Sequence, residues 1–122
     1  MAEIVIYHNP RCSKSRETLK LIEEQGYHPR IIEYLKTPPD ADELARILAL
    51  LGKSPRDILR KAEAEAAGID AKALDDPALI RAMVANPAAI ERPIVVADGK
   101  AALGRPPEAV LALLPSSPPR RG

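Results

Sequence analysis

Cys12 is the only cysteine in the chain, and it stands in Tyr7-His8-Asn9-Pro10-Arg11-Cys12-Ser13-Lys14-Ser15-Arg16, between an apolar run and a strongly patterned helix. A cysteine where a strand gives way to a helix faces unpaired backbone N–H groups and the positive end of the helix dipole. Both favour thiolate over thiol. Arg11, Lys14 and Arg16 push the same way. A lone cysteine is often just a small buried hydrophobe, but this setting points to a reactive, anion-facing nucleophile. Ser15 lies three residues on, so one helical turn brings its hydroxyl near the sulfur, where it can donate a hydrogen bond to the thiolate. His8 has two readings: a charged partner that lowers the thiol pKa from its free value of about 8.5, or a histidine that packs against or caps the loop.

The absence of a second cysteine carries a chemical consequence. No resolving thiol exists within the chain, so any redox cycle through Cys12 is completed by an external thiol. Two other chemistries are excluded by spacing. A phosphatase-type loop needs an arginine six places after the cysteine, where Thr18 stands, and a zinc site needs more ligands than Cys12, His8 and the distant His28 supply. No metal site is therefore expected.

The elements that must position these residues follow from the pattern. Glu3-Ile4-Val5-Ile6-Tyr7 reads as a buried strand ended by Asn9-Pro10. The spacing predicts a helix over 13–25, stopped by Gly26, and a second strand over Pro29-Arg30-Ile31-Ile32-Glu33-Tyr34-Leu35. Strand, helix, strand in about thirty residues is a βαβ unit with parallel strands. Asp40 is a good N-cap for a helix through Leu44, Ile47, Leu48 and Leu51, with Glu43 completing a capping-box-like pair. Ser54-Pro55 opens another helix, predicted to carry Ile58, Leu59 and Arg60. Asp76-Pro77 opens a third, through Leu79, Ile80, Met83 and Val84 to Asn86-Pro87.

Arg92-Pro93-Ile94-Val95-Val96-Ala97 is a strand, Asp98-Gly99 a strong hairpin signal, and Lys100-Ala101-Ala102-Leu103-Gly104 its antiparallel return. A last helix is expected from Pro106, with Val110, Leu111, Leu113 and Leu114 on it. Residues 115–122 have nothing to bury and read as a flexible Pro/Arg tail after one domain over 1–114. The fold class is α/β: a thioredoxin-like mixed sheet in the order βαβ, helical insertion, ββα, with flanking helices. In that topology Cys12 sits at the carboxyl end of the first strand, where open sheets bind ligands. Pro93 falls where such folds place a cis-proline opposite the active cysteine, so Arg92 is expected to face Cys12. Arg105 follows the returning strand and could reach the same end. Arg60, on a capped helix, reads as a solvated side chain.

Composition bounds the rest. The 122 residues are 46% hydrophobic yet contain no Phe or Trp, so the core is built from Leu, Ile, Val and Ala with three tyrosines. Few aromatics argue against a base-stacking nucleic-acid platform. Eighteen Lys and Arg balance seventeen Asp and Glu, a net charge of +1, so no global field draws the chain to nucleic acid or membrane. Any anion site is local. No apolar run approaches membrane-spanning length and no leader-like pattern precedes Glu3, which with the lone cysteine gives a cytoplasmic expectation.

His8-Asn9-Pro10-Arg11-Cys12-Ser13-Lys14-Ser15-Arg16, with Glu33-Tyr34-Leu35, Leu59-Arg60-Lys61, Glu91-Arg92-Pro93-Ile94-Val95-Val96 and Gly104-Arg105-Pro106, resembles the glutaredoxin-coupled arsenate reductase family. The resemblance runs in order from about residue 3 to residue 114. It implies a thioredoxin-like monomer in which Cys12 attacks arsenate or a similar oxyanion, while Arg60, Arg92 and Arg105 bind it. Glutathione is then the co-substrate, glutaredoxin the partner that regenerates the cysteine, and no cofactor is bound. Two other classes compete: Spx-type regulators of the same fold, which contact RNA polymerase and typically carry a Cys-x-x-Cys switch that Ser15 breaks, and general glutathione-dependent thiol oxidoreductases.

Overall fold

The structure, a computed structural model, describes residues 3–114; the tail expected over 115–122 lies outside them. The chain packs as two compact units, one built from the chain up to Glu33 and from Arg92 onward, the other from Tyr34–Glu91. The second is the helical insertion anticipated between the two halves of the sheet.

The first unit is organised on β1 (Ile4–His8), which lies between two neighbours in a four-stranded sheet of order β2-β1-β3-β4. β2 (Arg30–Glu33) runs parallel to β1, with Ile6 opposite Ile31, after the helix α1 (Ser13–Glu24). β3 (Ile94–Ala97) runs antiparallel to β1 on its other side, and β4 (Lys100–Leu103) antiparallel to β3. Two flanking strands explain why β1 is nearly all buried. β2 has one sheet neighbour and is shorter than the seven residues expected; the chain turns at Tyr34, and Leu35 is exposed. Asp98 and Gly99 both take positive φ, 52° and 72°, the geometry a two-residue hairpin needs.

Ile4, Ile6, Ile22, Tyr27, Val95, Ala97, Val110 and Leu113 form this unit's core. The last segment, Pro107–Leu113, is a 3₁₀ helix rather than the α-helix expected. Its buried residues Pro107, Val110 and Leu113 recur every third position, which is one face of a three-residue turn. That face packs the segment against α1 and β4.

In the insertion, α2 (Ala41–Leu51) is capped by Asp40, whose carboxylate accepts from the Glu43 N–H at 2.7 Å. The helix expected from Ser54 is broken in two. Pro55–Ile58 is a single 3₁₀ turn, Leu59 forms an isolated bridge to Ile90, and Arg60 becomes the N-cap of α3 (Lys61–Ala66). The bridge is the physical cause: it holds Leu59 extended and, with the Arg60 N–H donated to the Ala89 carbonyl at 2.8 Å, draws the backbone out of the helix. α4 (Asp76–Ala85) is capped by Asp75, one residue before the expected start. Arg56 hydrogen-bonds Asp76 and the carbonyls of Leu74 and Ala71, tying the turn before α4 to the 3₁₀ segment.

Candidate functional site

β1 ends at His8, and residues 9–12 carry the chain into α1 as a tight loop built on Asn9. The Asn9 carbonyl accepts from the Cys12 N–H at 3.0 Å, and its side-chain Oδ1 accepts from the Arg11 N–H at 3.0 Å. Asx side chains close such turns on their own backbone. Cys12 is left extended at the N-cap of α1, with φ −94° and ψ 124°, and is buried. Burial pushes its thiol up. The backbone N–H of Ser15, the charge of Arg92, a side-chain hydrogen bond from Arg92 and the backbone N–H of Lys14 together outweigh burial, and the thiol pKa falls below its ordinary value. The helix N-terminus thus acts as anticipated, through two named amides.

Arg105 completes the surroundings of the sulfur. Its Nη2 stands 3.8 Å from Cys12 Sγ, while its Nε donates to the Arg92 carbonyl at 2.8 Å. The Arg92–Pro93 peptide is cis, as the position of Pro93 suggested, and Arg105–Pro106 is cis as well. Two guanidinium groups from the far half of the sequence therefore meet a thiol from the near half. A planar fork of donors beside a sulfur with lowered pKa suits an oxyanion, which binds such groups through charge-assisted, often bidentate hydrogen bonds.

The Ser15 hydroxyl is directed away from where its spacing suggested, toward His8. Ser15 is fully buried, and its Oγ lies 2.6 Å from His8 Nδ1 and accepts from the Asn9 N–H at 3.0 Å. Helical side chains lean toward the helix N-terminus, which carries this hydroxyl back to the loop and the end of β1. What Ser15 offers the sulfur is its backbone N–H. His8 is buried, and desolvation pushes its pKa down; Arg16 adds to the fall, while Glu33 and Glu23 oppose it. Burial, the lowered pKa and the Nδ1 contact with Ser15 favour the packing one of its two readings. Nor are the loop cations free: Arg16 donates to the Pro10 carbonyl at 3.0 Å, and Lys14 pairs with Glu17 at 3.9 Å.

Arg60 belongs to the insertion. There its guanidinium pairs with Glu63 at 3.3 Å and Glu91 at 3.8 Å, so it is an ion-paired side chain at a helix N-cap and not a solvated one on a helix face. Among the described residues no group of three or more His, Cys, Asp and Glu side chains could hold a metal ion. Two residues that spacing did not reveal are Asn9, which orders the loop, and Gly104, where β4 ends against α1. Asn-Pro was readable as a turn; nothing in the sequence showed that the asparagine's amide, carbonyl and side chain all take part.

Sheet order, cis-proline and N-cap cysteine define a thioredoxin-like α/β protein with a cysteine site at the carboxyl end of β1. Comparison with known proteins refines this. The ArsC family profile matches residues 7–113, and the chain belongs to the ArsC family. It is 50% identical over 117 residues to an arsenate reductase of Neisseria meningitidis serogroup A, covering 93% of this chain and all of that one. It is also 50% identical over 115 residues to the uncharacterized protein YfgD of Escherichia coli K12, covering 92% and 97%. The solved arsenate reductase from Vibrio cholerae superposes with a TM-score of 0.82 at 49% identity, covering 92% of this chain and 98% of that one.

Proposed function

We propose that this chain is an arsenate reductase with Cys12 as nucleophile and Arg92 and Arg105 as oxyanion ligands. The observation that carries the reading is the Cys12 sulfur, with lowered pKa, bracketed by the two arginines. The thiolate attacks arsenic and a water leaves, giving a sulfur–arsenic bond. Glutathione displaces a second oxygen as water, so that arsenic carries both sulfurs. A glutaredoxin thiolate then takes the glutathionyl sulfur as a disulfide, and the electron pair of that sulfur–arsenic bond stays on arsenic, reducing As(V) to As(III). Hydrolysis of the remaining bond frees arsenite and the Cys12 thiolate.

The external thiol follows from the single cysteine; glutathione and glutaredoxin follow from the resemblance. The reaction belongs in a reducing compartment, the cytoplasm, and the protein acts as a monomer. Among the described residues no helix is long and apolar enough to cross a membrane. The test is arsenate-dependent NADPH oxidation by the pure, folded protein supplied with glutathione, glutaredoxin and glutathione reductase. Turnover that vanishes in Cys12→Ser supports the reading, since an oxygen nucleophile is far weaker at neutral pH. No arsenate-dependent oxidation by the wild type overturns it.

A further inference from the structure

Gly104 is the residue at which β4 leaves the sheet, and its missing side chain is filled by its neighbours. A Cβ placed there would lie 2.4 Å from Thr18 Oγ1, 2.7 Å from Pro93 Cγ and 3.0 Å from Thr18 Cγ2. At Gly52, Gly68 and Gly99 the same atom would meet nothing within 4 Å. Those three have positive φ, whereas Gly104 does not, so it is required for space and not for backbone conformation.

The neighbours cannot retract. Thr18 and Pro93 are both fully buried, one on α1 and one before β3. Thr18 is β-branched and stiff at χ1, and its Oγ1 donates to the Lys14 carbonyl at 2.7 Å. Proline is a ring. The Gly104 N–H is donated to the Pro93 carbonyl at 3.0 Å, which seats the end of β4 on the proline. The next residue is Arg105, whose Nε reaches the Arg92 carbonyl at 2.8 Å and whose Nη2 reaches Cys12 Sγ at 3.8 Å. Two consecutive residues of one strand end thus grip two consecutive residues ahead of the other strand.

We infer that Gly104 is a positioning residue: by closing without a Cβ onto Thr18 and Pro93, it sets the Arg105 guanidinium against the Cys12 sulfur. An added Cβ needs ordinary contact distance, about 3.4 Å, so the strand end retreats by roughly an ångström from Thr18. Arg105 then leaves the sulfur while Cys12, α1 and Arg92 stay. This deepens the reading of Arg105 as an oxyanion ligand and rests on it. The thiol's acidity rests on it only in part, because the Ser15 and Lys14 amides and Arg92 lower the thiol pKa whether or not Arg105 is in place.

The test compares Cys12 alkylation by iodoacetate, an anion, with alkylation by neutral iodoacetamide. The ratio of the two rates cancels the thiolate fraction and reports the positive charge beside the sulfur. Arg105→Ala lowers the ratio about fivefold, as for a unit charge about 4 Å away in a high dielectric. Gly104→Ala lowers it to the same level, moves the pH midpoint with iodoacetamide upward only as far as Arg105→Ala does, and adds nothing in the Arg105→Ala background. A general loosening of the fold would instead lower the ratio further there. A wild-type ratio in folded Gly104→Ala or in Arg105→Ala, or additive effects in the double variant, overturns the inference. Should Gly104→Ala not fold, Thr18→Ala combined with Gly104→Ala removes the threonine atoms but keeps the Pro93 Cγ contact. Its ratio falls between those of the wild type and Arg105→Ala, and a wild-type ratio again refutes the inference. Arsenate is absent from the assay, so the role of Gly104 is decided even in a chain that fails to reduce arsenate.

Discussion

Replacing Ser15 by Ala separates two roles for its hydroxyl that lead to opposite outcomes. If the hydroxyl served the sulfur, its loss would raise the thiol pKa by about one unit, the equivalent of one hydrogen bond of roughly 1.4 kcal/mol. The structure instead spends the hydroxyl on His8 Nδ1 at 2.6 Å and the Asn9 N–H at 3.0 Å. Removing it strands a ring nitrogen of a buried histidine, while half-buried Asn9 can regain water. One orphaned buried polar group costs about 2 kcal/mol, which for a chain of this size lowers Tm by about 8 °C. The backbone N–H of Ser15 still reaches the sulfur. Ser15→Ala is therefore expected to lose stability in urea and heat denaturation while the pH midpoint of iodoacetamide alkylation stays at the wild-type position. A midpoint raised by a unit with Tm unchanged would refute this assignment of the hydroxyl.

Arg92→Lys keeps a charge near Cys12 but loses the fork, so the thiol remains acidic while KM for the oxyanion rises on the order of tenfold; unchanged kinetics would show that Arg92 does not hold substrate. Arg92→Ala removes both charge and hydrogen bond and moves the alkylation midpoint upward, toward the ordinary thiol value. For His8 the linkage sign is fixed by burial, which depresses the folded pKa below 6.5. The unfolded chain takes up that proton first, so the His8 contribution is fully present above pH 6.5 and is lost as pH falls from there toward the folded value. His8→Gln should show a shallower loss of stability with acid over that window, measured by urea denaturation; a slope identical to the wild type would mean that His8 is not held neutral.

Much of the architecture was legible because it rests on local signals. Asp40 before an apolar helical face, Asp98-Gly99 between two apolar runs, and Pro93 opening a strand each carry their physics in adjacent residues. The breaks in that legibility are contacts between distant segments. Leu59 lies opposite Ile90, and that bridge turned an expected helix into a 3₁₀ turn, an extended pair and a second helix. In the final segment the three-residue spacing of Pro107, Val110 and Leu113 was available, but the nearby leucines fit an α-helical reading equally well. At the site, the helix N-terminus was readable from position. The direction of the Ser15 hydroxyl was not, since it depends on where the end of β1 presents His8. Gly104 carried no local signal, because what fills its empty side-chain space is Thr18, far back in the chain, and Pro93, just ahead of the neighbouring strand.

The most direct test of the site is a crystal of the protein soaked with arsenate. The expected result is an oxyanion within bonding or contact distance of Cys12 Sγ, held by the guanidinium groups of Arg92 and Arg105. Arsenate bound elsewhere, with both arginines turned away from the cysteine, would contradict the assignment of Cys12 as nucleophile and of the two arginines as its oxyanion ligands.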